Sequence, residues 1–312
     1  MSLACGIDVG GTKIAGGVVD ENGTILEELR VESPATDASA IEDAIEKLVS
    51  ELRTRHPIEA VGVGAAGYID KARAVVLFAP NLAWRDLDLK ADLERTLSLP
   101  VVVENDANAA AWGEFQFGAG HDVDDLLLVT VGTGVGGGVV LDGALYRGAF
   151  GVGAEIGHMR VVPDGILCGC GNRGCFEMYA SGSALVREVR ATARASLLAA
   201  SLVDRAGGDP DAITGPLVTE AARDGDMFAI EQLASVGRWL GEGIASLAAV
   251  LDPAVVVIGG GVSAADELLL GPARAAFAAH LTGRGYRPTL EIRRARLGNR
   301  AGLIGAADLT RH

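Results

Sequence analysis

The chain has 312 residues, 49% of them apolar, which is enough to bury a sizeable core in one large or two ordinary domains. Its formal net charge of −14 would repel a phosphate-rich polymer, so binding to nucleic acid is not expected. Residues 1–20 lack the basic start and apolar run of a signal peptide, and no stretch approaches the roughly 18 consecutive apolar residues that cross a bilayer, so we expect a cytoplasmic protein without membrane contact.

The beginning of the chain alternates apolar runs with turns. The runs at 3–9 and 14–19, and a third that starts at Thr24, predict strands joined by glycine-containing turns. The first turn carries the residues Asp8, Gly10, Gly11, Thr12 and Lys13.

These turn residues could bind the phosphates of a nucleotide. Glycines let backbone N–H groups converge on an anion, Thr12 adds a hydroxyl, Lys13 adds a cation, and Asp8 could hold Mg²⁺ through water. An ordinary hairpin turn explains the same residues equally well when they are taken alone. A P-loop or a dinucleotide fingerprint is excluded, because a strand and not a helix follows the glycines.

Both helices and strands are predicted after this hairpin. Apolar residues at Ile41, Ile45, Leu48 and Leu52 recur at helical spacing and predict a helix that begins near 36–39. Further along, the pattern predicts a strand at 60–64, a helix near 88–97, a strand at 101–103 and a helix at 105–117.

Polar residues follow the strand at 101–103 directly. A carboxylate such as Asp106, where a strand ends and a helix begins, is kept ionised by the helix dipole and suits a general base. Plain N-capping by Asn105 or Asp106 is the alternative. We expect the side chain of Glu104 to point to the opposite side of the strand end.

From residue 125 the pattern of the opening recurs. A strand at 126–131, a turn region at 132–138 and a strand at 139–141 echo the first hairpin and suggest an internal structural duplication. The turn residues Gly132, Thr133 and Gly134 form a second candidate phosphate loop.

Three of the four cysteines lie within eight residues, close to a histidine. The residues His158, Cys168, Cys170 and Cys175 match a closed Cys₃His zinc shell, and the intervening glycines allow the sharp turns it needs. A catalytic zinc would keep an open position, so a structural zinc is predicted. Glu155 and Glu177 flank this cluster, where fixed carboxylates could accept hydrogen bonds from sugar hydroxyls.

The second half of the chain is more helical. One long amphipathic helix at 228–251 is expected to end before Pro253, followed by a strand at 254–258 and a helix at 264–281. Gly260 and Gly261 lie between them, where a base or ribose could approach the backbone, although a tight turn is an equal alternative. A final helix starts near Ala301. This mixture predicts an α/β fold, with any domain boundary near 115–125.

Taken together and in order, these motifs carry a family resemblance. The chain resembles the ROK family of sugar kinases and repressors, and within it the bacterial glucokinases of the actinobacterial kind, through the sequences DVGGTK, ENDANAA, GTGVGGG, EIGH, CGCGNRGCFE and IGGGVS. The resemblance covers nearly the whole chain. It implies an actin-like ATPase (ribonuclease H-like) fold with two α/β lobes around a cleft, here 1–118 with 299–312 and 119–298.

The resemblance also implies an activity, the phosphorylation of the 6-hydroxyl of glucose by ATP with Mg²⁺. Asp106 would be the catalytic base. Glucose would be held by Gly67, Asn81, Asn105, Asp106, Glu155, His158 and Glu177. ATP and Mg²⁺ would be held by Asp8, Gly10, Gly11, Thr12, Lys13, Gly132, Thr133, Gly134, Gly260 and Gly261. The zinc ligand His158 would turn its second ring nitrogen towards the sugar.

Several alternatives share these motifs. The substrate could instead be mannose, fructose, N-acetylmannosamine or N-acetylglucosamine, and some relatives use polyphosphate as donor, for which a basic groove would be expected. A sugar-responsive regulator without catalysis is a third alternative. It would need a helix-turn-helix before the first phosphate loop, which starts at Asp8, and the net charge opposes DNA binding. The family also implies a homo-oligomer, either a dimer or a tetramer.

Overall fold

The computed structural model describes residues 2–312 and confirms the α/β class. The strands are β1 (Leu3–Val9), β2 (Lys13–Val19), β3 (Ile25–Glu32), β4 (Ile58–Ala65), β5 (Tyr68–Ile69), β6 (Val76–Phe78), β7 (Arg85–Leu87), β8 (Val101–Asn105), β9 (Leu126–Val131), β10 (Val135–Leu141), β11 (Ala144–Tyr146), β12 (Val255–Gly259) and β13 (Glu291–Arg294). The α-helices are α1 (Ala38–Arg53), α2 (Leu89–Leu97), α3 (Asp106–Phe117), α4 (Glu177–Ala180), α5 (Gly182–Ala195), α6 (Ala200–Arg205), α7 (Gly215–Arg223), α8 (Met227–Leu251), α9 (Glu267–His280) and α10 (Ala301–Asp308).

Two five-stranded sheets share one strand order. The first runs β3-β2-β1-β4-β8, and the second runs β11-β10-β9-β12-β13. In each, the order by appearance along the chain is third, second, first, fourth, fifth. The first sheet combines an antiparallel β1–β2–β3 meander with parallel pairing of β4 to both β1 and β8. The internal duplication suggested by the glycine motifs is therefore present in the topology.

The local signals read from the sequence explain most of these elements. The apolar positions predicted for the first helix, Ile41, Ile45, Leu48 and Leu52, are buried in α1, and the Asp37 side chain caps that helix by accepting from the backbone N–H of Ala40. The carboxyl ends of the parallel strands β1, β4 and β8 lie at one edge of the sheet. Residues just beyond those ends can therefore meet.

Three sequence-based boundaries are wrong. Gly136, Gly137 and Gly138 belong to β10 and not to the turn region predicted at 132–138. A Cβ atom on Gly138 would lie 2.5 Å from the Cβ of Ala111 in α3, so close packing and not loop flexibility requires a glycine there. Similarly, β8 continues to Asn105, and a short 3₁₀ helix at Gly261–Ala265 precedes α9.

The helix α10 packs on β1, β4 and α3 with its backbone in direct contact. A Cβ on Gly62 of β4 would lie 1.7 Å from the carbonyl oxygen of Ala306, and one on Gly305 would lie 1.7 Å from that of Ala109. No side chain fits at either position. The end of the chain therefore completes the core of its beginning.

Two compact units divide the chain. One contains the residues up to Leu128 together with 137–154 and 296–312, and the other contains 129–136 and 155–295. The lobes expected from the sequence have other bounds, 1–118 with 299–312 and 119–298. These bounds stay a prediction. Among residues 2–312, no helix combines the length and the apolarity needed to cross a membrane.

Candidate active site

In the first unit, the β1–β2 hairpin holds the first candidate phosphate loop. The backbone N–H of Gly10 donates to the carbonyl of Lys13 at 3.0 Å and closes the turn, which leaves Gly11, Thr12 and Lys13 exposed. A Cβ placed on Gly11 would lie 3.5 Å from the Cβ of Asn81. The loop and one of the predicted sugar-binding residues are therefore neighbours.

Asp8 and Asp106 lie where β1 ends and α3 begins. Both side chains keep a partly accessible surface, yet enough protein surrounds them to desolvate their carboxylates. Desolvation raises the pKa of Asp8 to about 7, and the negative charge of Asp106 acts in the same direction. Desolvation also raises the pKa of Asp106. A pair of accessible carboxylates with raised pKa values is typical of a functional site.

Asn105 connects the start of α3 to Gly67. Its side-chain oxygen accepts from the backbone N–H of Asn108 at 3.0 Å, which makes it the N-cap of α3. Its side-chain nitrogen donates to the carbonyl of Gly67 at 3.1 Å. Two of the predicted sugar-binding residues, Asn105 and Gly67, are thus held together next to Asp106 in the chain. Asn105 also caps the helix, as the alternative interpretation of this motif expected.

Glu104, at the end of β8, is buried and paired, and on which side of the strand end it points relative to Asp106 stays a prediction. Its side chain is 1% exposed, and Oε1 accepts from the backbone N–H of Asn105 at 2.9 Å and from the side-chain nitrogen of Asn108 at 3.1 Å. Its other oxygen, Oε2, lies 2.7 Å from Nε of Arg147 and 3.5 Å from Nε of Arg73. Glu104 therefore accepts hydrogen bonds from the start of α3 through one oxygen and contacts arginines through the other.

In the second unit, the second glycine loop is anchored to the start of α5. The backbone N–H of Gly182 donates to the carbonyl of Gly132 at 2.8 Å, and that of Gly132 donates to the carbonyl of Gly134 at 3.0 Å. Gly260 has a φ of 80°, and a Cβ there would lie 2.5 Å from the carbonyl oxygen of Val131, so only glycine fits.

A cavity of about 980 Å³ opens beside this loop, with Gly132, Thr133 and Gly261 in its lining. Its lining also includes four arginines, which the sequence motifs did not indicate: Arg187, Arg190, Arg194 and Arg223. Each already donates to protein groups, for example Arg190 to the carbonyl of Ile213 and Arg223 to that of Ala264. The cavity is large enough for a nucleotide base with its sugar.

The histidine and three cysteines predicted to bind zinc converge. The ligand atoms of His158, Cys168, Cys170 and Cys175 all lie within 4.8 Å of one another. The Sγ atoms of Cys170 and Cys175 are 3.6 Å apart, and Cys168 Sγ is 3.8 Å from Nδ1 of His158. Thiolates bound to one tetrahedral zinc are separated by roughly 3.8 Å, so both the donor set and its spacing fit that ion.

Positive-φ glycines shape this cluster. Gly171 and Gly174 have φ values of 90° and 76°, and a Cβ on Gly174 would lie 1.6 Å from the carbonyl oxygen of Val162. The sharp turns predicted for this cluster are therefore present, and their backbone conformation favours glycine at both positions.

Two glutamates adjoin the cluster. Glu177 accepts from Cys168 Sγ through Oε1 at 2.9 Å, while its Oε2 lies 2.5 Å from where a Cβ on Gly134 would be. The Oε2 atom of Glu155 lies 4.0 Å from Nε2 of His158. The predicted sugar-binding residues of this unit are thus placed around one imidazole and next to the second glycine loop.

Arg147 is a functional candidate that the sequence motifs did not indicate. It stands between Tyr146 and Gly148 without any charge pattern around it, and its partner Glu104 is 43 positions earlier in the chain. Only the folded chain reveals such a pair.

Comparison with known proteins adds independent findings. The sequence profile of the ROK family matches residues 4–312. The chain is 49% identical over 312 residues to the glucokinase of Streptomyces coelicolor, which covers 100% of this chain and 98% of the relative. It is 30% identical to the xylose repressor of Bacillus subtilis, which covers 97% of this chain and 76% of the repressor. A crystal structure of a ROK family glucokinase from Streptomyces griseus in complex with glucose and AMPPNP superposes with a TM-score of 0.91 at 52% identity, covering 99% of both chains.

Proposed function

This chain belongs to the ROK family and has its actin-like ATPase fold, and from that premise we propose that it transfers the γ-phosphate of ATP to the 6-hydroxyl of glucose. The products are glucose 6-phosphate and ADP. The observation that carries the proposal is the full-length likeness to a glucokinase structure that holds glucose and an ATP analogue. The desolvated carboxylate at the start of α3 agrees with it.

Asp106 is proposed as the general base. It would accept the proton of the 6-hydroxyl while the hydroxyl oxygen attacks the γ-phosphorus and the bond to ADP breaks. The raised pKa of Asp106 makes it a stronger base than an ordinary surface carboxylate. Its place in the first turn of α3 lets the helix dipole favour the ionised form that begins the reaction.

Six residues besides Asp106 are proposed to hold the sugar. In the first unit, Asn105, Gly67 and Asn81 would bind its hydroxyls, and the Asn105–Gly67 hydrogen bond supports this by fixing two of them relative to Asp106. In the second unit, Glu155, His158 and Glu177 would do so. A site built to hydrogen-bond each hydroxyl of a sugar rejects sugars that lack a matching one.

The donor is proposed to be ATP with Mg²⁺. Asp8, Gly10, Gly11, Thr12 and Lys13 would hold phosphate and metal in the first unit, and the carboxylate of Asp8 is the kind of hard oxygen ligand that Mg²⁺ prefers. Mg²⁺, when bound, neutralises charge on the phosphates, while the exposed Thr12 and Lys13 add a hydroxyl and a cation.

The second glycine loop and the glycines after β12 are also proposed to contact the nucleotide. Gly132, Thr133, Gly134, Gly260 and Gly261 are proposed for this role, because three of them line the 980 Å³ cavity. The four arginines of that cavity are already bonded to protein groups, and the net charge of the chain is −14, so neither feature favours a long polyanion as donor over ATP.

Zinc is proposed as an organiser of the sugar site. With Nδ1 of His158 on the metal, the neutral ring carries its proton on Nε2, which can donate to a sugar oxygen. Three thiols remain available to zinc only in a reducing compartment, which supports placing the protein in the cytoplasm. The homo-oligomer implied by the family stays a prediction, to be measured by light scattering.

A coupled kinase assay tests the function directly. ATP should support phosphorylation of glucose faster than of mannose, fructose, N-acetylmannosamine or N-acetylglucosamine, and polyphosphate should be the poorer donor. Faster turnover with another of these sugars would show that this sugar, and not glucose, is the preferred substrate. The absence of turnover with every pair would favour a regulator that binds sugar without catalysis.

A further inference from the structure

Glu104 is a buried carboxylate that the proposed chemistry does not use. It is the next-to-last residue of β8, followed directly by Asn105 and Asp106. Its Oε1 accepts two hydrogen bonds from the start of α3, from the Asn105 backbone and the Asn108 side chain. Burying a carboxylate without a partner is very costly, and two arginines, Arg147 and Arg73, lie next to its Oε2 atom.

The stronger of these partners is Arg147, which is itself only 10% exposed. Beyond its contact with Glu104 at 2.7 Å, its guanidinium donates to the carbonyl of Lys71 at 2.7 Å and to that of Asp70 at 2.8 Å. Arg73, in the same turn, has its Nε atom 3.5 Å from Oε2 of Glu104, and its carbonyl accepts from the backbone N–H of Val103 in β8. One arginine thus connects the end of β8 to the 70–73 turn.

The segment that carries Arg147 packs on that same turn. A Cβ on Gly151, which has a φ of 92°, would lie 2.4 Å from the carbonyl oxygen of Ile69. The N–H of Gly153 donates to the carbonyl of Arg147 at 3.1 Å, so the loop between them folds back on itself. The chain then continues through Ala154 to Glu155.

We propose that Glu104 is a positioning residue for the phosphoryl transfer, acting with Arg147. The pair holds the backbone of Asn105, and with it the carboxylate of Asp106, at a set position relative to the 70–73 turn and to the loop 147–153. This role rests on the proposed function. Since an error of about 1 Å in the placement of a catalytic group can reduce a rate about 100-fold, a change of charge at Glu104 acts on catalysis without touching the substrate.

The test uses four variants of the full chain: Glu104→Gln, Arg147→Met, the double variant, and Glu27→Gln as a matched control. Glu27 also contacts two basic side chains, Arg55 at 3.0 Å and His56 at 2.8 Å. It pairs with Val18 in the β2–β3 ladder, five positions from Lys13, which is roughly 17 Å along the strand from the phosphate loop. For each variant, kcat and the KM values for glucose and ATP are measured well below its melting temperature.

We expect Glu104→Gln and Arg147→Met each to lower kcat by roughly 10- to 100-fold, with the KM for ATP changed less than about twofold. Because both remove one shared interaction, their losses in kcat should not multiply in the double variant. Glu27→Gln should keep the kcat of the wild type.

A purely structural role predicts other results. The melting temperatures of the variants would then fall. Their kcat, corrected for the folded fraction that circular dichroism measures, would stay within about twofold of the wild type. That outcome, or losses that multiply in the double variant, would overturn the role of the pair. A wild-type protein that phosphorylates no glucose would instead refute the proposed function.

Discussion

Nδ1 of His158 lies 3.8 Å from Sγ of Cys168, whereas Nε2 of the same ring faces Oε2 of Glu155 at 4.0 Å. The two nitrogens of one imidazole therefore face two different sites, the metal cluster and the carboxylate proposed to bind sugar. Fixing Nδ1 fixes the tautomer and the direction in which Nε2 can donate. Loss of the metal should therefore weaken the binding of the sugar.

The first prediction follows from that relationship. Cys170→Ser should release zinc, from about one ion per chain to well below that, and should weaken glucose binding by about tenfold while ATP binding is kept. Elemental analysis and calorimetric titration with each ligand measure these effects. The control is Cys5→Ala, since Cys5 is buried in β1 and should leave the zinc content unchanged. A wild-type protein without zinc contradicts the prediction.

The second prediction concerns the base. Asp106→Asn keeps shape and hydrogen bonding but cannot accept the proton of the 6-hydroxyl, so kcat should fall by about 10²- to 10⁴-fold. The affinity for glucose should change less, because other residues still hold the ring. Steady-state kinetics and equilibrium glucose titration separate the two effects.

A matched control for this substitution is Asp37→Asn. Asp37 also lies at a helix N-terminus, where its side chain accepts from the N–H of Ala40, and asparagine caps a helix about as well as aspartate. Its kcat should equal that of the wild type. If Asp106→Asn were equally active, Asp106 would not be the base.

The third prediction concerns how the stability of the protein depends on pH when Mg²⁺ is absent. Between pH about 4 and about 7 the unfolded chain has lost the Asp8 proton while the folded chain still holds it. The free energy of unfolding therefore falls as the pH rises through this window, by a few kcal/mol, and levels off above pH 7. Asp8→Asn removes the titrating group.

The variant should therefore melt at a higher temperature than the wild type when Mg²⁺ is absent. The difference should be small near pH 4, should grow to several degrees by pH 7, and should then stay constant. Thermal melts monitored by circular dichroism across this range measure it. A difference in melting temperature that does not depend on pH would contradict the raised pKa of Asp8.

The fourth prediction compares one substitution in two helices. Gly305→Ala places a Cβ 1.7 Å from the carbonyl oxygen of Ala109 and should destabilise the protein by about 2 kcal/mol or more, since α10 must move off α3. In Gly271→Ala the nearest atom is the Glu267 Oε2 at 3.7 Å, an ordinary contact within α9. That variant should be as stable as the wild type or up to about 1 kcal/mol more stable. Equal destabilisation in chemical unfolding would show that packing at α10 is not the cause.

Local patterns explain what could be predicted from the sequence. The helical spacing of Ile41, Ile45, Leu48 and Leu52 predicted α1, and the zinc cluster was visible because all four ligands fall within 18 residues. The strand order of the first sheet could not be read in this way, because pairing of β1 with β4 joins residues more than fifty positions apart.

Side-chain pairs between distant residues were likewise out of reach. The contact between Glu104 and Arg147 leaves no periodic trace in the sequence, so the partner of Glu104 could not be predicted. The glycines at 136–138 looked like a loop because, taken locally, a glycine run signals flexibility. All three lie in β10, where the packing of α3 requires a glycine at Gly138.

The packing of α10 also has a consequence for how the protein is made. A ribosome releases β1 and β4 early, but the helix that covers Gly6 and Gly62 emerges roughly 240 residues later, after the whole of the second unit. At about 5–20 residues per second, that delay lasts about 10–50 s. For that interval the nascent chain carries an uncovered apolar sheet face, and a chaperone that binds nascent chains would meet it there.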